Sequence, residues 1–392
     1  MTRAKLPAVA LDPSRVDAWR LARQRLHPLA PAGRLEQVAT ELVGIQAQVT
    51  SAADLSLALR VRNGRVGRAG EALARRRLVK GWAMRGTLHL FAADDYPLVV
   101  AALSRREPWR ESVWLRYFGV TIEQMERLIA AIGEILDDGR PRNRAELSRD
   151  VADHVGPGIA KHIQGSWGSF LKPAAYRGLL CQASGNGNGV TFVRPDRWLG
   201  SWRRDDPEQA LNTVIRRYLA CYGPASTNGI ARWWGQQPKA VRPTIEAMTD
   251  DLTEVEVDGE RGFVLTSDLD AIERAKPDLP RVRLLGAFDP LIVGVGTKSR
   301  VIPAAHLKRV SRTAGWISPV VLIDGLAAGV WTSQRTKTGL TVTVDPFSKL
   351  GSGDRRALGD EVERLGAIHE LPATLEFGPV FATPTADVAG DA

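Results

Sequence analysis

What most constrains this chain is a pattern it repeats: a helix with a polar start, a second helix, then two strands joined by a Gly-rich or charged turn. The middle stretch shows it most clearly. Thr121 to Leu136 has helical apolar spacing at Ile122, Met125, Leu128, Ile129 and Ile132. Asn143 is placed to cap a following helix, Arg144 to His154. Gly165 to Leu179 reads as a third helix kinked at Pro173, and Leu180 to Val193 as a hairpin turning on Gly185-Asn186-Gly187-Asn188-Gly189. The parts recur downstream, with helices over Pro207 to Tyr218, Ser226 to Trp234 and Pro238 to Met248. A strand Leu252 to Val257 then turns at Asp258-Gly259 and returns through Gly262 to Leu265. Ser14 to Phe91 follows the plan more loosely, pairing Leu78 to Met84 with Thr87 to Phe91 across Arg85-Gly86. Tandem small domains are the simplest source of such repetition, and helices followed by a hairpin is the winged-helix order.

The texture changes near Arg281 to strands at Val282 to Ala287, Val320 to Ile323, Ala328 to Thr332 and Leu340 to Val344. This predicts domains at 14–105, 106–204, 205–280 and 281–382, with a disordered tail at 383–392. A length of 392 residues with 44% hydrophobic content supports several cores of that size. Apolar runs stop well short of the roughly 18 residues that span a bilayer, and Met1 to Arg15 lacks a leader pattern. A soluble, cytoplasmic protein is expected, with no membrane partner. Cys181 and Cys221 belong to no Cys/His cluster, so neither a metal nor a cofactor is expected.

The net charge of +9 points to a polyanion. Most of the excess lies in one strip: Arg60, Arg62, Arg65, Arg68, Arg75, Arg76, Arg77, Lys80 and Arg85 face a single acid, Glu71. A solvated helix face would explain it, but a phosphate-tracking surface explains it better. Arg335 and Lys337, near the tip of a predicted Val330 to Val344 hairpin, fit either a groove probe or an ordinary turn.

No familiar catalytic signature is present. Gln46-Ala47-Gln48 stands out because it sets two amides at i and i+2 among apolar residues. On a helix they would diverge by roughly 200°, whereas an extended strand puts both on one face. Gly44 can end the preceding helix and Ser51 can cap the next, which favours the extended form. Two amides bonding to nearby backbone is an equal reading. Arg85 suits a phosphate contact or a structural ion pair. His89 lies in an apolar strand, where a satisfied core imidazole is commoner than a proton carrier, and Asp289 before Pro290 suits a turn.

Four separated runs share one resemblance: Gln46-Ala47-Gln48, Trp82-Ala83-Met84-Arg85-Gly86-Thr87-Leu88-His89, Tyr222-Gly223-Pro224-Ala225, and Leu285-Gly286-Ala287-Phe288-Asp289-Pro290. Together, over about Val16 to Phe347, they resemble the AlkZ/YcaQ group of winged-helix DNA glycosylases, and the second glutamine resembles the AlkZ branch. The resemblance implies an α+β fold of three tandem winged helices and a small C-terminal β-barrel, C-shaped around a DNA channel. It implies a monofunctional hydrolase of N7-alkylated purines in double-stranded DNA, with Gln46 and Gln48 at the scissile nucleotide. Thr87, His89 and Asp289 would support the site. A monomer acting at the bacterial nucleoid, unhooking interstrand crosslinks or natural-product adducts in self-resistance, is the corresponding expectation. Ala47 is smaller than the apolar residue the family pattern carries there, which bears on substrate scope. A winged-helix transcriptional regulator and a non-catalytic damaged-DNA-binding protein are the alternatives.

The chemistry implied is physically consistent. A carboxamide has no useful basicity at neutral pH, so it can orient a water but not deprotonate it. That suffices where N7 alkylation has already made the purine a cationic leaving group. No lysine adjoins the motif to form a Schiff base.

Overall fold

The structure, a computed structural model, describes residues 8–165, 168–183, 189–296 and 299–380. The fold is mixed α+β, and the chain packs into two compact units, 70–214 and the remainder formed by 1–69 with 215–391. No described helix is long and apolar enough to cross a membrane. Among the described residues, no group of three or more His, Cys, Asp or Glu could hold a metal ion.

In the unit 70–214, Leu78–Trp82 pairs antiparallel with Leu88–Ala92, closing at Trp82 opposite Leu88. Arg85 (φ 55°) and Gly86 (φ 71°) make the turn between them. Two helices open with reciprocal capping boxes, Thr121 with Gln124 before Ile122–Ile135 and Asn143 with Glu146 before Arg144–Val155. A third helix, Pro157–Gly165, precedes the hairpin of Cys181–Ala183 and Thr191–Val193. Arg142–Asn143 adds a short strand beside Thr191–Phe192. Residues 185–188 of the anticipated turn lie outside the described residues.

The single kinked helix expected over Gly165 to Leu179 does not form. The chain breaks at Gly168 (φ 72°), where a Cβ would sit 2.4 Å from the Trp82 ring. Pro173 instead sits in the first turn of a five-residue helix, Lys172–Tyr176, where its missing N–H loses no bond.

The other unit begins with helices Pro13–Arg23, Leu35–Glu41 and Thr50–Ala58. From residue 215 it repeats the strand order just described. The Ser226 hydroxyl caps Thr227–Trp234, and Pro238–Ala247 follows. Leu252–Val257 then pairs in full register with Glu260–Leu265. Asp258 (φ 49°) and Gly259 (φ 78°) supply the two left-handed positions of the tight turn. Ala225 bridges Phe263 on the outer side of this hairpin, as Arg142–Asn143 does in the other unit.

The C-terminal strands correct the barrel expectation. They form an open five-stranded sheet ordered Val282–Leu285, Val320–Ile323, Leu326–Arg335, Leu340–Pro346, Ala373–Phe377, with the last pair parallel. An 18-residue helix, Ser352–His369, that the strand pattern did not anticipate, removes the need for closure. Its Leu358, Val362, Leu365 and Ile368 cover one face, against Val282, Leu284, Trp331 and Val342. The opposite face meets Leu291 and Ile292 together with Leu21 and Leu26 of the N-terminal segment. A sheet buried on both faces needs no second sheet wall.

Candidate functional site

The Leu35–Glu41 helix ends in a paired reverse turn. Val43 N–H donates to the Thr40 carbonyl (3.1 Å) and Gly44 N–H to that of Ala39 (2.8 Å). Val43 (φ 56°) and Gly44 (φ 87°) are both left-handed. For a β-branched residue that conformation is unusual and costs roughly 1–3 kcal/mol. Completely buried Val43 is held there by its surroundings. The chain leaves the turn extended at Ile45–Gln46, and Val49 (φ −110°) starts the next helix. Ile45, Ala47 and Val49 are buried, whereas Gln46 and Gln48 between them are half-buried. Burial thus alternates along the segment, leaving the two glutamines as its accessible residues. Ser51 does not cap the Thr50–Ala58 helix, which begins without a side-chain cap.

Two of the other sequence runs hold this segment in place. The Tyr222 hydroxyl donates to the Leu42 carbonyl at 2.8 Å, four residues before Gln46. The Tyr222 ring lies so close to Gly294 that a Cβ there would fall 2.0 Å from it. Arg60 is completely buried, as is Asp289, and their side chains meet at 2.7 and 2.8 Å. Arg60 also donates to the carbonyls of Gln24 (2.9 Å) and Ser56 (3.0 Å), tying off the helix that follows the glutamines. Gly286 lies against that helix, where a Cβ would make an ordinary contact with Leu55 at 3.5 Å.

Arg60 is therefore not a DNA contact. Its partner lies 229 residues away, a pairing that charge counting along the chain could not reveal. Asp289 caps Pro290–Val295 through Leu291 N–H (2.9 Å) while neutralising Arg60. Sequence reasoning gives Tyr222, Gly286 and Gly294 no individual roles. The first two fall inside runs shared with the glycosylase group, but Gly294 carries no sequence signal.

Comparison with known proteins settles the affiliation. The AlkZ-like DNA glycosylase family matches residues 39–368. The chain belongs to this family. The interstrand DNA cross-link repair glycosylase of Streptomyces sahachiroi is 40% identical over 324 residues, covering 81% of this chain and 86% of that protein. The solved structure of Streptomyces sahachiroi DNA glycosylase AlkZ superposes with a TM-score of 0.85 at 36% identity, covering 94% of this chain and 100% of that one. This AlkZ-like chain is thus a DNA glycosylase, a hydrolase of N-glycosyl bonds whose substrate is DNA.

In this AlkZ-like glycosylase the remaining candidates fall into distinct settings. Arg62, Arg75, Arg76 and Arg77 are exposed and Lys80 is half-buried. Arg76 donates to the Trp198 carbonyl (2.9 Å) and lies 5.5 Å over that ring, which orients its guanidinium. Arg335 and Lys337 are exposed at the end of the Leu326–Arg335 and Leu340–Pro346 hairpin. There the Thr336 hydroxyl accepts from the N–H groups of Thr338 (3.3 Å) and Gly339 (3.1 Å). The Thr87 hydroxyl donates to the Met84 carbonyl (3.1 Å), bracing the Arg85 turn.

His89 is 2% exposed. With its proton on Nδ1 it donates to the Thr87 carbonyl (3.0 Å), while Nε2 faces the Arg85 guanidinium at 3.5 Å. Burial first, and Arg85 second, pull its pKa down to about 3. The imidazole is neutral at working pH and offers no proton. The consequence for stability has a definite sign. Below about pH 6.5 the unfolded chain takes up a proton that the folded chain refuses, so stability falls on acidification through that window. At most about 1.4 kcal/mol is lost per pH unit. Denaturant titrations at pH 7, 6 and 5 are expected to show this extra slope, and His89→Gln to lack it.

Proposed function

We propose that this chain hydrolyses the N-glycosidic bond of N7-alkylated purines in duplex DNA, including purines tied into interstrand crosslinks. The observation that carries the reading is the pair of half-buried glutamines, Gln46 and Gln48, alternating with Ile45, Ala47 and Val49, which are buried in the core. The glutamine side-chain carbonyl oxygens orient a water toward C1′. As the C1′–N9 bond breaks, its electron pair passes into the cationic purine and neutralises it. The water oxygen bonds C1′ and releases its proton to solvent, leaving an abasic site with the strand intact. Selectivity resides in the leaving group, since amides too weak to act as bases leave unmodified purines alone.

The crosslink repair activity for which the Streptomyces relative is named supports crosslinks as substrates, and self-resistance to a DNA-alkylating natural product is the corresponding biological role. A monomer suffices, with winged helices at 14–105, 106–204 and 205–280. The shared strand order around Arg142–Asn143 and Ala225 supports the last two. Exposed Arg62, Arg75, Arg76, Arg77, Arg335 and Lys337, with half-buried Lys80 and Arg85, are assigned to DNA phosphates.

The test is single turnover on a duplex carrying one N7-methylguanine, read as alkali-labile sites. Gln46→Ala and Gln48→Ala are each expected to slow release about tenfold, the loss of one hydrogen bond worth roughly 1.5 kcal/mol, with DNA binding retained. Undiminished release in both variants would refute the assignment.

A further inference from the structure

A polar cavity of about 150 Å³ lies in the unit formed by 1–69 and 215–391, with no part of the glutamine segment in its wall. Its lining includes Arg20, Arg232, Arg261 and Arg300 against one acid, Glu260. Carboxylates behind the wall hold some of these charges. Arg300 pairs with Asp17 and, at 2.8 Å, with Asp258, and Arg261 pairs with Glu256 at 3.1 Å. The other two are less well matched. Arg20 shares Asp17 with Arg300, at 3.3 Å, and otherwise makes long bonds of 3.2 and 3.3 Å to the Gly223 carbonyl. Arg232 donates to the Val295 carbonyl (2.9 Å) and meets no carboxylate among the described residues.

Two further features face the same space. The Thr227–Trp234 helix begins there, its Ser226 hydroxyl accepting from Gly229 N–H (3.2 Å), and a helix start favours negative charge. The Ser299 hydroxyl is shielded from solvent and has no hydrogen-bond partner among the described residues. Burial also pulls the Arg20 pKa below its ordinary value, as expected of a guanidinium lacking a full counter-charge.

We infer that this cavity is a phosphate site, with Arg20 and Arg232 as its principal donors, the exposed Arg261 beside them and the Ser299 hydroxyl as a neutral one. Phosphate fits better than a carboxylate, because guanidiniums reaching in from separate elements match a tetrahedral group with several acceptor oxygens. The volume, several times the roughly 30 Å³ share of a water, accommodates such a group. The phosphate comes either from the DNA backbone, which the first helix of a helix-turn-helix pair commonly crosses, or from a free phosphate in solution.

Arg232 and Arg261 are exposed, so the double variant Arg232→Gln, Arg261→Gln is expected to fold, which its melting temperature in phosphate-free buffer checks. Two measurements compare it with the unsubstituted protein: the salt dependence of binding to undamaged duplex, and the shift in melting temperature with inorganic phosphate. A backbone source predicts that the slope of log affinity against log salt falls by about 0.9 for each phosphate no longer neutralised, with no thermal shift from free phosphate in either protein. A free-phosphate source predicts a thermal shift in the unsubstituted protein that the variant lacks, with equal salt slopes. Equal slopes and no thermal shift in either protein would overturn the inference. Neither readout involves base release, so this result and the glycosylase test can fail separately.

Discussion

Asp289→Ala is expected to destabilise the protein by roughly 3–5 kcal/mol, the loss found when one partner of a buried ion pair is removed. The size follows from what remains. Arg60 has no solvent access, and after the substitution its guanidinium would keep only the carbonyls of Gln24 and Ser56 and a long bond to the Gln24 side chain. Their partial charges do not balance a full positive charge in a low-dielectric interior. The Pro290–Val295 helix would also lose its cap at Leu291. Denaturant melts measure the effect. The double substitution Arg60→Met, Asp289→Leu should recover much of it, because it removes both charges and keeps comparable bulk. A single-variant loss below about 1 kcal/mol would mean that water reaches the pair and that burial is not what makes it matter.

Gly294→Ala is expected to act on both stability and rate. The new methyl would overlap the Tyr222 ring, at 2.0 and 2.1 Å from two of its carbons. The ring has little room to yield, because Tyr218 stacks on it at 5.2 Å and its hydroxyl is committed to Leu42. Overpacking of this kind costs typically about 1–3 kcal/mol. Movement of the Tyr222 hydroxyl would release the Leu42 carbonyl and loosen the turn that sets Gln46. Single-turnover base release should fall by up to about tenfold, the loss expected when the Gln46 amide is removed outright, with binding of undamaged DNA unchanged. Tyr222→Phe separates the two effects, since it keeps the ring and removes only the bond to Leu42. If Gly294→Ala lowers the melting temperature but leaves the rate intact, the glutamines are positioned independently of Tyr222.

Features with causes within a few residues were legible in the sequence. Thr121 and Asn143 announce their helices through side chains that bond three residues ahead, and Asp258-Gly259 announces its turn because those residues tolerate positive φ. The alternation of half-buried Gln46 and Gln48 with buried Ile45, Ala47 and Val49 belongs to this class, since it follows the spacing of apolar residues in the sequence. Their surroundings belong to another. Arg60 looked like part of a DNA-binding strip because nearby sequence holds cations and a single acid, yet Asp289, far along the chain, claims it. The strand run after Arg281 read as a β-rich domain, and the family resemblance implied that it closed into a barrel. A helix at Ser352–His369 covers the strands instead.

By itself, then, the sequence determined the local elements, their caps and turns, and the alternation of buried and half-buried residues around the two glutamines, because each depends on periodicity and hydrogen bonds within a few residues. Only the tertiary structure decided which charges are consumed inside the core, whether the last sheet closes, and what holds the glutamine segment. Those outcomes depend on which distant surfaces come within a few ångströms of each other, and neighbouring residues do not carry that information.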